Sequence, residues 1–167
     1  MARSSQESSL AEESAEPERQ PRAKRVSREV RIARTPMGKG VFAGRNYQTE
    51  EIVGEILGTI IDDALYESNY CMDLGGDRCL EPDSPYKFVN HSCQPNCELH
   101  WVDHPGSVAP LPDRHIYLLA IDDIRSGDQL TIDYAWPARL AVRCRCKSPD
   151  CRGWIVAADE VTKIVVA

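Results

Sequence analysis

From Val26 onward, apolar and polar positions alternate over short runs broken by glycine, proline and acidic turns, the pattern of a strand-rich chain. Val30-Arg31-Ile32-Ala33 alternates, stops at Thr35-Pro36-Met37-Gly38-Lys39-Gly40, and resumes at Val41-Phe42-Ala43. The β-branched stretch from Glu51 to Ile61 predicts one long strand. Asp63 to Asn69 predicts a short helical turn, followed by the strand-like Tyr70-Cys71-Met72-Asp73-Leu74. His115 to Ile121 carries the strongest strand signal; it enters an Asp-Asp-Ile-Arg-Ser-Gly-Asp turn, after which Gln129 to Tyr134 alternates again. No helical face persists for three turns and no internal repeat is present. Two stretches, 75–95 and 102–114, are long for loops, and long loops tend to carry function. The expectation is a β-dominated single domain with functional loops.

Residues 1–25 have a different character. They hold five Ser, five acidic and five basic residues, and almost nothing apolar beyond Leu10. Such a segment buries too little surface to offset its ordering entropy and is expected to be a disordered tail. Its end, Pro21-Arg22-Ala23-Lys24-Arg25, reads as a solvated basic run or a localisation signal. The tail is charge-neutral, so the formal −6 of the chain belongs to residues 26–167. That charge opposes generic nucleic-acid binding and favours basic partners. The 167 residues, 42% hydrophobic, suffice for one domain with a core, and neither a membrane span nor a secretory h-region is visible. Seven cysteines without an export signal point to metal ligation or free thiols in a soluble intracellular protein.

Cys144-Arg145-Cys146-Lys147-Ser148-Pro149-Asp150-Cys151 places three thiols around a turn, as a tetrahedral zinc site requires. A fourth ligand must come from elsewhere, with Cys93, Cys97 and His91 as candidates. Gly38-Lys39-Gly40-Val41-Phe42-Ala43 matches a dinucleotide fingerprint in letters only, because a strand rather than a helix follows it. What survives is close backbone approach to a ligand at the glycines. Asn90-His91-Ser92-Cys93-Gln94-Pro95-Asn96-Cys97 packs polar groups that are costly to bury without partners. A thiol-protease reading of its Cys-His pair is disfavoured, since His91 and Cys93 are expected to splay and no orienting third group is evident. Tyr134, at a strand end, reads by itself as a core aromatic.

Taken in order, Gly-x-Gly, Asn-His-Ser-Cys-x-Pro-Asn, Gly-Asp-Gln-Leu-Thr-Ile-Asp-Tyr and C-x-C-x4-C resemble the SET-domain protein lysine methyltransferases with a post-SET zinc motif, over about residues 28–157. Pro95-Asn96-Cys97-Glu98 with Trp101 is similar to the branch that modifies histone H3 tails. The resemblance implies a mainly β, SET-domain β-clip fold with a threaded, pseudoknot active site, a SET domain over 26–138, a post-SET zinc segment over 139–157 and a C-terminal extension over 158–167. It implies S-adenosylmethionine bound through Met37, Gly38, Lys39 and Gly40, with Asn90 and His91 at the methionine and adenine ends. Trp154 would pack on the adenine, Tyr70 would line the site, and Tyr134 would be catalytic. Structural Zn2+ would be held by Cys93, Cys144, Cys146 and Cys151, leaving Cys71, Cys79 and Cys97 as thiols buried like small hydrophobes.

The implied partner is a protein bearing a lysine in a basic, flexible segment. No direct nucleic-acid or membrane contact is expected, and the chain is expected to be a monomer, acting at chromatin if its cell has a nucleus and in the cytoplasm otherwise. Ile132 stands where the family usually carries Phe or Tyr, which favours di- or trimethylation. The Ile61–Leu80 stretch is short for a substrate-groove insert, and no Cys-rich cluster precedes Val26 in this sequence. Lys24 is a candidate for self-methylation. The competing classes are a catalytically silent SET-like module that grips a peptide or partner, and a zinc-stabilised interaction protein. Gly38, Gly40, Asn90, His91 and Tyr134 together oppose the first, and the central loop is left unexplained by the second.

Overall fold

The computed structural model describes residues 29–102 and 115–164. The tail, Lys24 and the 103–114 segment lie outside these. Among the described residues, ten short strands form four small sheets. Strands β1 (Val30–Thr35) and β2 (Gly38–Ala43) make an antiparallel hairpin. Strands β3 (Ile52–Glu55), β9 (His115–Ala120) and β8 (Cys97–Val102) form a sheet in that spatial order. A second triple places β6 (Arg78–Pro82) between β4 (Gly58–Asp62) and β5 (Met72–Gly75). The fourth is a two-residue parallel pair of β7 (Asn90–His91) and β10 (Thr131–Ile132).

The core lies where these sheets meet. Along β9, Ile116, Leu118 and Ala120 point inward while the residues between them are partly exposed, the period-two alternation of a strand with one buried face. Val41 and Ala43 of β2, Leu80 of β6, Tyr47, Ile124 and Leu130 close around them. Full burial of each Val, Leu or Ile side chain among them contributes roughly 1.5–3 kcal/mol. Among the described residues the helical elements are short 3-10 turns at Tyr86–Phe88, Ala138–Leu140 and Ala158–Lys163, in accord with the mainly β expectation.

Several local expectations change. The stretch from Glu51 to Ile61 is two strands, because its halves pair with β9 and β6 and the chain must corner between them. Ile56 anchors that corner, buried and donating its N–H to the Ile116 carbonyl. Gly38-Lys39-Gly40 belongs to β2, so the turn tightens to Pro36-Met37. Asp63 builds an Asx turn, accepting the Leu65 N–H on its side chain and the Tyr66 N–H on its carbonyl, in place of the expected helical turn. Strands β6 and β7 arise inside the 75–95 stretch expected to be irregular.

Candidate active site

Two distant segments are laced together at the centre of the molecule. Thr131 pairs with Asn90 and Ile132 with His91, and the Ser92 N–H then donates to the Ile132 carbonyl. Asn96 fixes the crossing from its other end: its amide nitrogen donates to the Gln129 carbonyl at 2.9 Å, and its oxygen accepts the Thr131 N–H at 2.9 Å. Through these bonds the Asn-His-Ser-Cys-x-Pro-Asn loop and the Asp-Tyr segment become one unit. His91 and Ser92, costly to bury alone, are buried and partnered.

Tyr134 sits at the centre of this unit. Its hydroxyl donates to the Val89 carbonyl at 2.8 Å, and its backbone N–H donates to His91 Nδ1 at 3.2 Å. Its ring lies against His91 and Trp136, with centroids 5.4 and 5.3 Å away. Burial, with a smaller push from Tyr70, raises the phenol to about 12. Tyr70 is half exposed and meets Phe88 edge-on at 6.0 Å. Burial lowers the basicity of His91, partly offset by Asp133, so the ring favours its neutral form and can accept the Tyr134 N–H.

The β1–β2 hairpin borders this centre. The Asn90 side chain donates to the Lys39 carbonyl at 3.0 Å. Gly40 is buried, and a Cβ there would stand 2.7 Å from Thr35 Cγ2, 2.9 Å from Gln129 Nε2 and 3.0 Å from Asn90 Nδ2. Gly38 differs: it has φ +107° and open space where a Cβ would be. Met37 is exposed at the turn, its N–H bonded to Thr35 Oγ1. The Lys39 ammonium lies 4.6 Å from the centre of the Phe88 ring. Thus the structure groups Gly38, Lys39, Gly40, Asn90 and His91 along one edge of the laced segments, with Tyr70 joined through Phe88.

The sulfurs of Cys93, Cys144, Cys146 and Cys151 lie within 4.8 Å of one another. Cys93 Sγ is 3.7 Å from Cys144 Sγ and 4.0 Å from Cys151 Sγ. Thiolates held about 2.3 Å from a tetrahedral zinc stand about 3.8 Å apart, so the donor set fits that ion. Backbone N–H groups of Arg152, Cys146 and Gly153 point to the sulfurs of Cys93, Cys144 and Cys151, each at 3.4 Å, an arrangement that favours charged sulfur. Of the three fourth-ligand candidates, Cys93 joins the cluster and Cys97 is wholly buried in the core, its thiol raised to about 12 by burial. Cys71 and Cys79 are partly exposed, not buried like small hydrophobes.

The expected splaying of His91 and Cys93 is also corrected. Their Nε2 and Sγ atoms are 3.4 Å apart, and Asp133 Oδ1 stands 3.5 Å from His91 Nδ1 as a third group. The chain curls over these two residues to bring Cys93 onto the thiol cluster. This trio is not a protease site in a metal-loaded protein, because Cys93 is committed to the cluster and His91 is only 4% exposed.

The order and lacing of these parts match a known family. A SET domain family model matches residues 38–135. The chain belongs to the SET-domain family. It is 31% identical over 132 residues to the H3 lysine-4 specific histone-lysine N-methyltransferase of Schizosaccharomyces pombe, covering 70% of this chain and 14% of that protein. It is 30% identical over 151 residues to the human H3 lysine-36 specific histone-lysine N-methyltransferase, covering 80% of this chain and 5% of that protein. The SET chain thus spans a small part of the curated relatives it matches. Its fold is similar to that of KRYPTONITE, crystallised in complex with mCHH DNA, an H3(1-15) peptide and SAH, with a TM-score of 0.65 at 22% identity, covering 75% of this chain and 29% of that one.

Reading the sequence alone passed over several working parts of this SET site. The Asn96 side chain, quoted only as part of a motif, ties the crossing. The Val89 carbonyl leaves no side-chain signal at all. Trp154 has the Arg143 guanidinium 4.0 Å from its ring centre, on one face, a contact the sequence does not announce. Ile132 lies in the core at 5% exposure, its backbone paired with His91. No helix among the described residues is long and apolar enough to cross a membrane.

Proposed function

We propose that this chain transfers a methyl group from S-adenosylmethionine to the side-chain amine of a lysine in a protein, with a basic, histone-like tail as the substrate class. The observation that carries this reading is the Tyr134–Val89 hydrogen bond, which fixes a phenol oxygen beside the Asn90–Lys39 contact. The proposed division is a SET domain over 26–138, a post-SET zinc segment over 139–157 and an extension over 158–167. The family relationship, and relatives named as histone-lysine N-methyltransferases, support the methyl-transfer reading.

The residues present suit such a cofactor. The Gly38 position is open to a ligand, whereas Gly40 lets the Asn90 amide nitrogen close on the Lys39 carbonyl, and the Asn90 amide oxygen would accept from a cofactor ammonium. The ring face of Trp154 opposite Arg143 would receive the adenine, and Met37, His91 and Tyr70 would complete the cleft. S-adenosylmethionine, when bound, supplies an electrophilic methyl group on a sulfonium. A lysine ammonium, pKa about 10.4 in water, must lose its proton before attack. A narrow channel beside Tyr134 would desolvate the amine, and the adjacent sulfonium would repel its charge; both lower that pKa, so no strong protein base is required. Tyr134 orients the amine, and its oxygen with the backbone carbonyls accepts C–H···O contacts from the polarised methyl. In-line geometry then supplies most of the acceleration.

Zinc on Cys93, Cys144, Cys146 and Cys151 would tie the Trp154 segment to the laced core. Residues 26–167, which carry the formal −6, steer a basic tail toward the site. The absence of a hydroxyl at Ile132 favours higher methylation states. A monomer working at chromatin in a nucleated cell fits this substrate class, without direct nucleic-acid binding. The test uses labelled S-adenosylmethionine, zinc-loaded protein, purified histones and cell lysate. Label that Tyr134→Phe fails to transfer is the expected result. Neither label nor cofactor binding would overturn the proposal in favour of a silent binding module.

A further inference from the structure

Arg152 joins the thiol cluster to the segment that carries Tyr134. Its backbone N–H donates to Cys93 Sγ at 3.4 Å. Its guanidinium forms two parallel bonds to Asp133, Nη1 to Oδ2 at 2.6 Å and Nη2 to Oδ1 at 2.7 Å. Both side chains are sheltered, at 17% and 28% exposure, where a bidentate pair fixes direction as well as distance. Asp133 in turn accepts the Ala135 N–H on Oδ1 at 3.0 Å, and Ala135 has a left-handed φ of 47°. The two neighbours of Tyr134 are therefore held from one guanidinium. The same Oδ1 stands 3.5 Å from His91 Nδ1, the atom that accepts the Tyr134 N–H.

We propose that Arg152 is a positioning residue, which sets the backbone of Tyr134 through Asp133 and thereby couples order in the thiol cluster to the reacting geometry. This rests on the methyltransferase reading above, but its structural half is testable without it. A second side-chain tie from the thiol segment goes elsewhere: Gln94 Nε2 donates to Asp150 Oδ2 at 2.6 Å, linking that segment to the 90–96 loop on the exposed side. Arg152 differs in reaching the residue next to Tyr134. Burial works to raise the Asp133 carboxyl, and the Arg152 guanidinium together with the Ala135 N–H hold it below its usual range. The ionised carboxylate that accepts these bonds is thereby favoured.

The test compares Arg152→Gln, Arg152→Lys and Gln94→Ala in the full zinc-loaded chain containing 3-fluorotyrosine, with the Tyr134 fluorine resonance assigned from Tyr134→Phe. Zinc stoichiometry by elemental analysis must equal that of the wild type for the comparison, and Arg152→Lys serves if the Gln variant loses metal. Arg152→Gln is expected to displace the Tyr134 resonance and reduce kcat about tenfold or more, with KM little changed, as small misplacements do. Arg152→Lys, which keeps the charge and loses the fork, should fall between. Gln94→Ala should leave both readouts at wild-type values. An unmoved resonance in both Arg152 variants, or an equal displacement in Gln94→Ala, would overturn the positioning role. If the wild type transfers no methyl, the resonance alone decides this inference, and only the functional reading fails.

Discussion

The Tyr134 hydroxyl and the Val89 carbonyl meet at 2.8 Å across 45 positions of sequence. The phenol proton is committed to a backbone acceptor, so the oxygen is held in place with lone pairs for other contacts. A buried carbonyl that loses this donor is left unsatisfied, which costs about 1–3 kcal/mol.

Tyr134→Phe should therefore lower stability by that amount in denaturant titration and reduce methyl transfer by about a hundredfold or more. Cofactor affinity by calorimetry should change little, because Asn90 and the hairpin are untouched. The pH behaviour follows from the same burial. With the phenol raised to about 12, Tyr134 is neutral at any pH where the protein is assayed. Rate should rise with pH as substrate amine deprotonates, with no decline attributable to Tyr134 near the ordinary tyrosine value of about 10. An ultraviolet difference titration of wild type against Tyr134→Phe checks this: a tyrosinate signal from Tyr134 near pH 10 would refute it.

Gly38 and Gly40 each exclude a side chain for a different reason. A methyl group at Gly40 presses on Asn90 Nδ2, Thr35 and Gln129, all at 3.0 Å or less. Gly40→Ala should push Asn90 off the Lys39 carbonyl, cost about 1–3 kcal/mol of stability by overpacking and weaken S-adenosylmethionine about tenfold. Gly38→Ala meets no protein atom within 4 Å but must adopt φ +107°, so it should cost about 1–2 kcal/mol of stability by backbone strain. Its methyl group would also enter the space proposed for the cofactor. Calorimetry and thermal unfolding should show both variants weaker in binding and in stability; a Gly40→Ala that binds as the wild type does would remove the Asn90–Lys39 contact from cofactor binding.

How much was legible follows from where the information resides. The β9 strand was visible because Ile116 to Ile121 is a short continuous apolar run beside a turn signal, although which face it buries was not, since Leu118 and Leu119 read alike. The four thiols were visible only in part: C-x-C-x4-C is local, but choosing Cys93 over Cys97 depends on a contact separated by 51 residues. The corner at Ile56 was invisible, since β-branched residues suit both strands and nothing local shows that their partners differ. The lacing of Asn96 to Gln129 and Thr131 was equally hidden, as hydrogen bonds between distant segments impose no periodicity. Backbone acceptors such as the Val89 carbonyl have no residue identity to read.

Ile132 tests the count of methyl groups against packing. Its side chain occupies the core at 5% exposure beside the His91 pairing. Ile132→Tyr should cost about 1–3 kcal/mol by overpacking, read as a lower denaturant midpoint. The added hydroxyl should also shift the product toward fewer methyl groups by mass spectrometry. An unaltered product distribution in a folded variant would remove Ile132 from that choice.

Removing the metal should loosen the site without dissolving the fold. The principal core cluster runs from Val30 to Ile132 and takes nothing from 139–157. The four thiols, by contrast, join Cys93 to that later segment, which also carries Arg152 and Trp154. Chelation should therefore leave the far-ultraviolet circular dichroism of the β core in place, lower the thermal midpoint, and weaken S-adenosylmethionine about tenfold or more as Trp154 loses its anchor. Cys146→Ser should behave the same way and bind less zinc by elemental analysis. Collapse of the strand signal on chelation would show instead that the metal holds the whole domain. Unchanged zinc content in Cys146→Ser would remove Cys146 from the ligand set.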